Sequence, residues 1–175
     1  MKITKLETIL VKPRWLFLKI HTDEGLVGYG EPITEGRALT CAEAVRELEP
    51  YLIGQDPTRV VHHWQAMYKH AFYRGGPILT SAISGVEQAL WDLSGKALGV
   101  PVYKLFGGPL RDRIRVYKHS GNDPEVIRKW KSSFNAFKCG VAGGRPARLV
   151  ESKGFVDRAV ESFAADVAHE IKNPL

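Results

Sequence analysis

Apolar and polar residues alternate from Ile3 to Val11 and again from Leu16 to His21, the period-two signature of half-buried strands. A Lys12-Pro13-Arg14-Trp15 break separates them as a loop, and Thr22-Asp23-Glu24-Gly25 makes a turn into a third strand, Leu26 to Gly30. The pattern predicts a three-stranded antiparallel meander. Glycines at 25, 28 and 30 predict a tight turn and close backbone approach. A phosphate cradle is excluded because no helix start follows them directly.

The period then changes to that of helices. Thr40 with Glu43 reads as a capping box, followed by an apolar stripe of Ala44, Val45, Leu48 and Leu52 that ends near Gly54. Pro50 is expected to shorten or kink the last turn. Asp56 with Pro57 predicts the next start, carrying Val60, Val61, Trp64, Met67 and Tyr68. A third helix is predicted from about Leu79 to Leu98, with Ala82, Val86, Ala89, Leu90, Leu93 and Ala97 at helical spacing and Gly99 and Pro101 ending it. From Ile114 a strand–helix–strand–helix alternation begins, and the sequence ends after two such units at Leu175. The expected organisation is a complete α+β domain over 1–110 and the first two βα units of an incomplete barrel over 111–175.

Composition narrows the function classes. The 175 residues are 44% hydrophobic and 25% charged, ordinary for a globular protein that buries a core. No apolar run approaches the roughly 20 residues of a membrane span. The opening MKITKLETIL mixes charged and apolar residues unlike a signal peptide, so a cytoplasmic location is expected. Cys41 and Cys139 are far apart and lack metal-ligand spacing, which reads as two reduced thiols. A net charge of +6 raises nucleic-acid binding, but the basic residues are spread along the chain. The densest cluster, Arg111-Asp112-Arg113-Ile114-Arg115, is interrupted by an acid and accompanied by no recognition motif. Neither a nucleic acid nor a membrane is expected as a partner.

Candidate chemistry is sparse. His62, His63 and His70 suggest metal ligands, yet no carboxylate or cysteine completes a set, so surface or packing roles are expected and no metal ligand is assigned. Phe72-Tyr73-Arg74-Gly75-Gly76-Pro77 breaks two helices with an aromatic and an arginine on flexible backbone, which suits either a ligand-contacting loop or a connector. Gly140 to Pro146 is glycine-rich but lacks the Gly-Lys-Ser/Thr ending of a nucleotide loop.

Three segments then act in combination: HTDEGLVGYGEP at 21–32, HAFYRGGPILTSAISGVEQALWDLSGKALGVPVYKLFGG at 70–108 and RDRIRVYKHSG at 111–121. Together they resemble the capping domain of the enolase superfamily, within it the mandelate racemase subgroup, and most of all galactonate dehydratase and related acid-sugar dehydratases. The resemblance implies an α+β cap, a three-stranded antiparallel meander plus three helices, followed here by the truncated start of a (β/α) barrel. It implies a lyase acting on a small sugar acid in carbohydrate acid metabolism, with Mg2+ held by acidic residues on the third, fourth and fifth barrel strands. A base would remove the proton α to the carboxylate, the metal would stabilise the enediolate, and water would leave the neighbouring carbon. By position Arg14 and Trp15 would lie in one substrate-covering loop, with Tyr73 and Arg74 in a second. Arg115 to His119 resembles barrel strand one and Ala136 to Cys139 strand two, which would aim His119 and Lys138 at the site. Lys138 resembles a strand-two base, but Ala136 stands where a paired lysine would. A base, a carboxylate-orienting group and a surface lysine all remain open for it.

The last residues carry another resemblance. Phe155, Val156, Ala159, Val160, Phe163, Val167 and Ile171 have helical spacing, and FAADVAHEIKNPL at 163–175 resembles the H-box of sensor histidine kinases, with His169 as phosphoacceptor. A junction near Phe163 is one reading; a phosphoacceptor segment fused to a cap, or a non-catalytic assembly partner, are the others. Two strands of a parallel barrel cannot close. The chain is therefore expected to lack the metal-ligand strands, to be inactive alone and to self-associate through exposed barrel edges.

Overall fold

The computed structural model describes residues 1–12, 14–121 and 123–139. The predicted helix over 152–171, the loop Gly140–Pro146 and His169 lie outside the described residues. The chain divides into two compact units, Met1–Leu110 and a second that begins at Arg111. Among the described residues no helix is long and apolar enough to cross a membrane.

The first unit opens with β1 (Ile3–Val11), β2 (Trp15–Thr22) and β3 (Val27–Gly30), an antiparallel sheet in that order. Alternation along β2 buries Leu16, Leu18, Ile20 and Thr22 on one face and leaves Trp15 and Phe17 on the other. Trp15 pairs with Val11, so the loop predicted to contain it is shorter and Trp15 begins the strand. On the outer face Glu7 accepts a hydrogen bond from His21 at 3.1 Å. That bond and nearby Lys5 hold the Glu7 carboxyl below the usual glutamate range.

Three helices follow: α1 (Ala38–Leu52) and α3 (Pro77–Leu98) cover the inner face, and α2 (Val60–Lys69) packs against α3. Ile3, Leu18, Ile20, Val45, Leu52, Val86, Leu90 and Leu93 make the centre of the core. Two predicted starts need correction. Helix α1 is nucleated by a turn in which the Arg37 amide donates to the Thr34 carbonyl, so Thr40 falls inside the first turn and forms no capping box. Glu43 instead pairs with Arg46 on the exposed face. Asp56 does not cap α2, which begins at Val60. Its carboxylate accepts from the amide and hydroxyl of Thr58 at 3.0 and 2.8 Å, a local turn that competes with helix. These bonds hold the Asp56 carboxyl below its ordinary value. Pro50 sits within the last turn of α1, which continues to Leu52.

Glycines decide how close α3 comes to the sheet. A Cβ on Gly28 would lie 2.2 Å from the Ala89 carbonyl oxygen, and one on Gly30 1.9 Å from that of Gly85. The expected close approach is therefore met. With α3 so near, its side chains reach the open edge of β3. Lys96 donates to the Val27 carbonyl, Asp92 accepts from the Tyr29 amide and Gln88 accepts from the Glu31 amide. This ladder satisfies backbone groups that an edge strand would leave exposed.

After α3 comes one turn of helix, α4 (Val102–Leu105), whose neighbour Phe106 meets Trp91 edge to face. The second unit contains β4 (Lys118–Gly121), α5 (Pro124–Trp130) and β5 (Phe137–Cys139). Asp123 caps α5 through the Glu125 amide at 2.9 Å. Strands β4 and β5 pair in parallel, the arrangement of a βα barrel's first two strands. Both start later than the sequence predicts: Arg115 lies before β4 and bonds Asn135.

Candidate functional site

In the first unit the ladder along α3 carries the chain beyond β3 into the segment that links the two predicted cap loops. Pro32 lies against Gly85, where an added Cβ would come within 2.4 Å of it. The Thr34 hydroxyl donates to the Pro77 carbonyl at 3.0 Å and shares a 2.8 Å contact with the Ser81 hydroxyl. Next to it, the Glu35 carboxylate pairs with the Arg14 guanidinium. One short stretch, Thr34-Glu35, thus ties the β1–β2 loop to the start of α3, where the Tyr73–Gly76 loop ends. Neither Thr34, Glu35 nor Ser81 stands out in the sequence. The signal that could have found them is the polar series Ser81, Gln88, Asp92 and Lys96 on one flank of an otherwise apolar helix.

The second loop leaves α2 through anchored residues. His70 bonds the Met67 carbonyl through Nδ1 at 2.6 Å. The Arg74 guanidinium donates to the carbonyls of Ala71 at 3.0 Å and Lys69 at 3.5 Å, completing the end of the helix. Arg74 therefore shapes its loop besides offering charge. Tyr73 is 84% exposed and meets the ring of Phe72 edge to face. Beneath the loop lies a cavity of about 140 Å3, walled by Leu48, Met67, Leu79, Ala82 and Ile83 and lined also by Tyr73 and Arg74.

Of the histidines considered as ligands, His63 is fully buried. Its Nε2 faces the Asp56 carbonyl and its Nδ1 the Tyr51 hydroxyl, both at 2.8 Å. The carbonyl can only accept, so Nε2 carries the proton and Nδ1 accepts from Tyr51. Burial raises the Tyr51 hydroxyl above its usual value. Among the described residues no three His, Cys, Asp or Glu side chains come together as a metal site.

In the second unit His119 stands directly opposite Lys138 in the parallel register, and both are exposed. Ser120, the buried residue that follows His119 on β4, donates to the Lys138 carbonyl at 3.2 Å and lies 3.3 Å from the Cys139 sulfur. The structure thus brings the two predicted barrel residues side by side on adjacent strands. Arg14, Trp15, Tyr73 and Arg74 belong to the other unit.

Residues 6–107 match the N-terminal domain of the mandelate racemase / muconate lactonizing enzyme family. The chain belongs to that family. It is 54% identical over 170 residues to a D-galactonate dehydratase of Pectobacterium atrosepticum, a match covering 94% of this chain and 44% of that protein. A D-galactonate dehydratase of Klebsiella pneumoniae is 53% identical over the same length, with the same coverage. The crystal structure of an enolase from Pantoea ananatis, with bound D-gluconate and Mg, has a TM-score of 0.72 and 36% identity, covering 79% of this chain and 36% of that one. The chain spans less than half the length of these relatives. Its fold is the family's α+β cap followed by the start of a barrel.

Proposed function

We propose that this chain is the N-terminal part of a Mg2+-dependent acid-sugar dehydratase of the galactonate type, acting in the cytoplasm. The observation that carries the reading is the 54% identity to a D-galactonate dehydratase over 94% of the chain. The parallel His119–Lys138 pair and the tied cap loops support it. The proposed reaction removes the proton α to a carboxylate and expels water from the next carbon. The enol that results becomes a 2-oxo-3-deoxy acid.

Within that reaction the cap would supply Arg14, Trp15, Tyr73 and Arg74 to the substrate. Arg14 is held by Glu35 and Arg74 by helix-end carbonyls, so both charges are oriented before a ligand arrives. His119 and Lys138 would face the acid from the barrel side. Lys138 has two open roles, orienting the carboxylate and taking the α-proton. The family's metal would stabilise the enediolate, but the described residues do not fit a metal site. On this reading the chain alone is inactive and self-associates through the open edges of β4 and β5.

The test incubates the full chain with galactonate, gluconate and related aldonic acids in Mg2+ and follows 2-oxo acid formation. The chain alone should show no turnover. Co-expression with the remaining C-terminal part of the Pectobacterium relative should restore it, and Lys138→Ala should then abolish the gain. Turnover by the free chain would overturn the inactivity; failure of the complemented pair on every acid would overturn the dehydratase reading.

A further inference from the structure

The cavity beneath the Tyr73–Gly76 loop does not suit a sugar acid. Most of its wall is apolar, from Ala44, Leu48, Met67, Leu79, Ala82 and Ile83, and would leave most of a polyol's hydroxyls unpaired. Of the other groups lining it, Arg74 donates to two backbone carbonyls, His70 bonds the Met67 carbonyl and Tyr68 stacks on Trp64, which leaves the exposed Glu47 carboxylate, a charge of the same sign as a sugar acid's. Its volume, about 140 Å3, is that of a single aromatic ring, since an apolar cavity of about 150 Å3 accepts benzene.

A ring of that size stands beside it. Phe72 is 89% exposed, more than any other aromatic side chain described, and its two neighbours in sequence, Ala71 and Tyr73, both line the cavity. On the far side of the loop Gly75 and Gly76 each have φ of +81°, a conformation glycine tolerates and most residues resist. Pro77 then fixes the start of α3. The loop is thus pinned at His70 and at Pro77, with an adaptable glycine pair between them. A large apolar side chain in water next to an apolar space of its own size has a lower-energy position available.

We propose that this cavity is an aromatic-ring site whose natural occupant is Phe72 of the same chain. The side chain exchanges between the exposed position and one that fills the space between α1, α2 and α3. When Phe72 is inside, Tyr73 is drawn against the cavity and turned from solvent; when it is outside, Tyr73 is presented. The inference concerns the cap alone and does not depend on the dehydratase reading.

Competition reveals an internal occupant. Benzene is titrated into the full chain, and the methyl resonance of Met67, one of only two methionines, reports entry because Met67 lines the cavity. Phe72 is exposed, so Phe72→Ala leaves the core intact. An internal occupant weakens the apparent affinity by the fraction of sites left open. Benzene should therefore bind Phe72→Ala about threefold or more tightly than the unaltered chain, with Phe72→Leu in between. Equal affinity for all three, or weaker binding by Phe72→Ala, would show that Phe72 does not enter. No shift of Met67 in any of them would show that the cavity accepts no ring. Either result overturns the proposal.

Discussion

The two units of this chain solve the problem of burying a sheet to very different extents. In the first, Gly28 and Gly30 let α3 approach until its side chains bond the free edge of β3, and Leu16, Leu18 and Ile20 on the sheet's inner face are fully buried. In the second, among the described residues from Arg111 onward, β4 and β5 pair only with each other and Ser120 is the one buried side chain. Ile114, Val116 and Tyr117 stay exposed. The first unit has a core of its own, and the described residues of the second do not. The proposed chemistry follows the same division, because the cap offers pre-oriented side chains while His119 and Lys138 stand on a sheet with two strands among the described residues.

The contrast is broken most easily by substitutions that should matter in one unit and not in the other. Gly30→Ala drives a Cβ into the Gly85 backbone, where no flexible group can yield. Overpacking of this kind should cost about 3 kcal/mol, read as a lower urea midpoint at unchanged slope. Ile114→Ala removes far more apolar surface, yet at an exposed position it should stay within about 0.5 kcal/mol. A large loss from Ile114→Ala, or none from Gly30→Ala, would mean that the two units are not distinguished by burial.

A smaller effect lies in the turn before α2. Asp56 is depressed because its carboxylate accepts two Thr58 hydrogen bonds. The unfolded chain therefore binds the proton more readily, so the stabilisation is present above the ordinary aspartate value of about 3.9 and is lost as pH falls through the lower folded value. Asp56→Asn keeps an acceptor but removes the titration. Its stability should fall less steeply in acid than that of the unaltered chain, and a parallel decline would contradict the assignment.

The elements that the sequence predicts correctly are those governed by long-range burial. The alternation of β1 and β2, the stripe of α1, the length of α3 and the parallel start of a barrel all follow from which positions must be apolar. The errors cluster where short polar side chains choose among local partners. Thr40 matches a capping box in spacing, but the Thr34–Arg37 turn starts the helix earlier. Asp56 has a cap's identity but bonds Thr58. The candidate site was half legible. Its loop residues carry visible chemistry, whereas Thr34, Glu35 and Ser81, which tie the loops together, matter only because α3 lies so close. Trp15 was misplaced for a related reason: its pairing with Val11 depends on register, which a loop-like Lys-Pro-Arg sequence conceals.

Amide hydrogen exchange on the full chain tests the division between the units most directly. Amides of β2 and α3 should exchange only through global unfolding, and those at 118–121 and 137–139 should exchange orders of magnitude faster through local opening. Equal, strong protection of β4 and β5 would contradict the account, because it would mean that the barrel's first two strands hold together without the strands that follow them in the family.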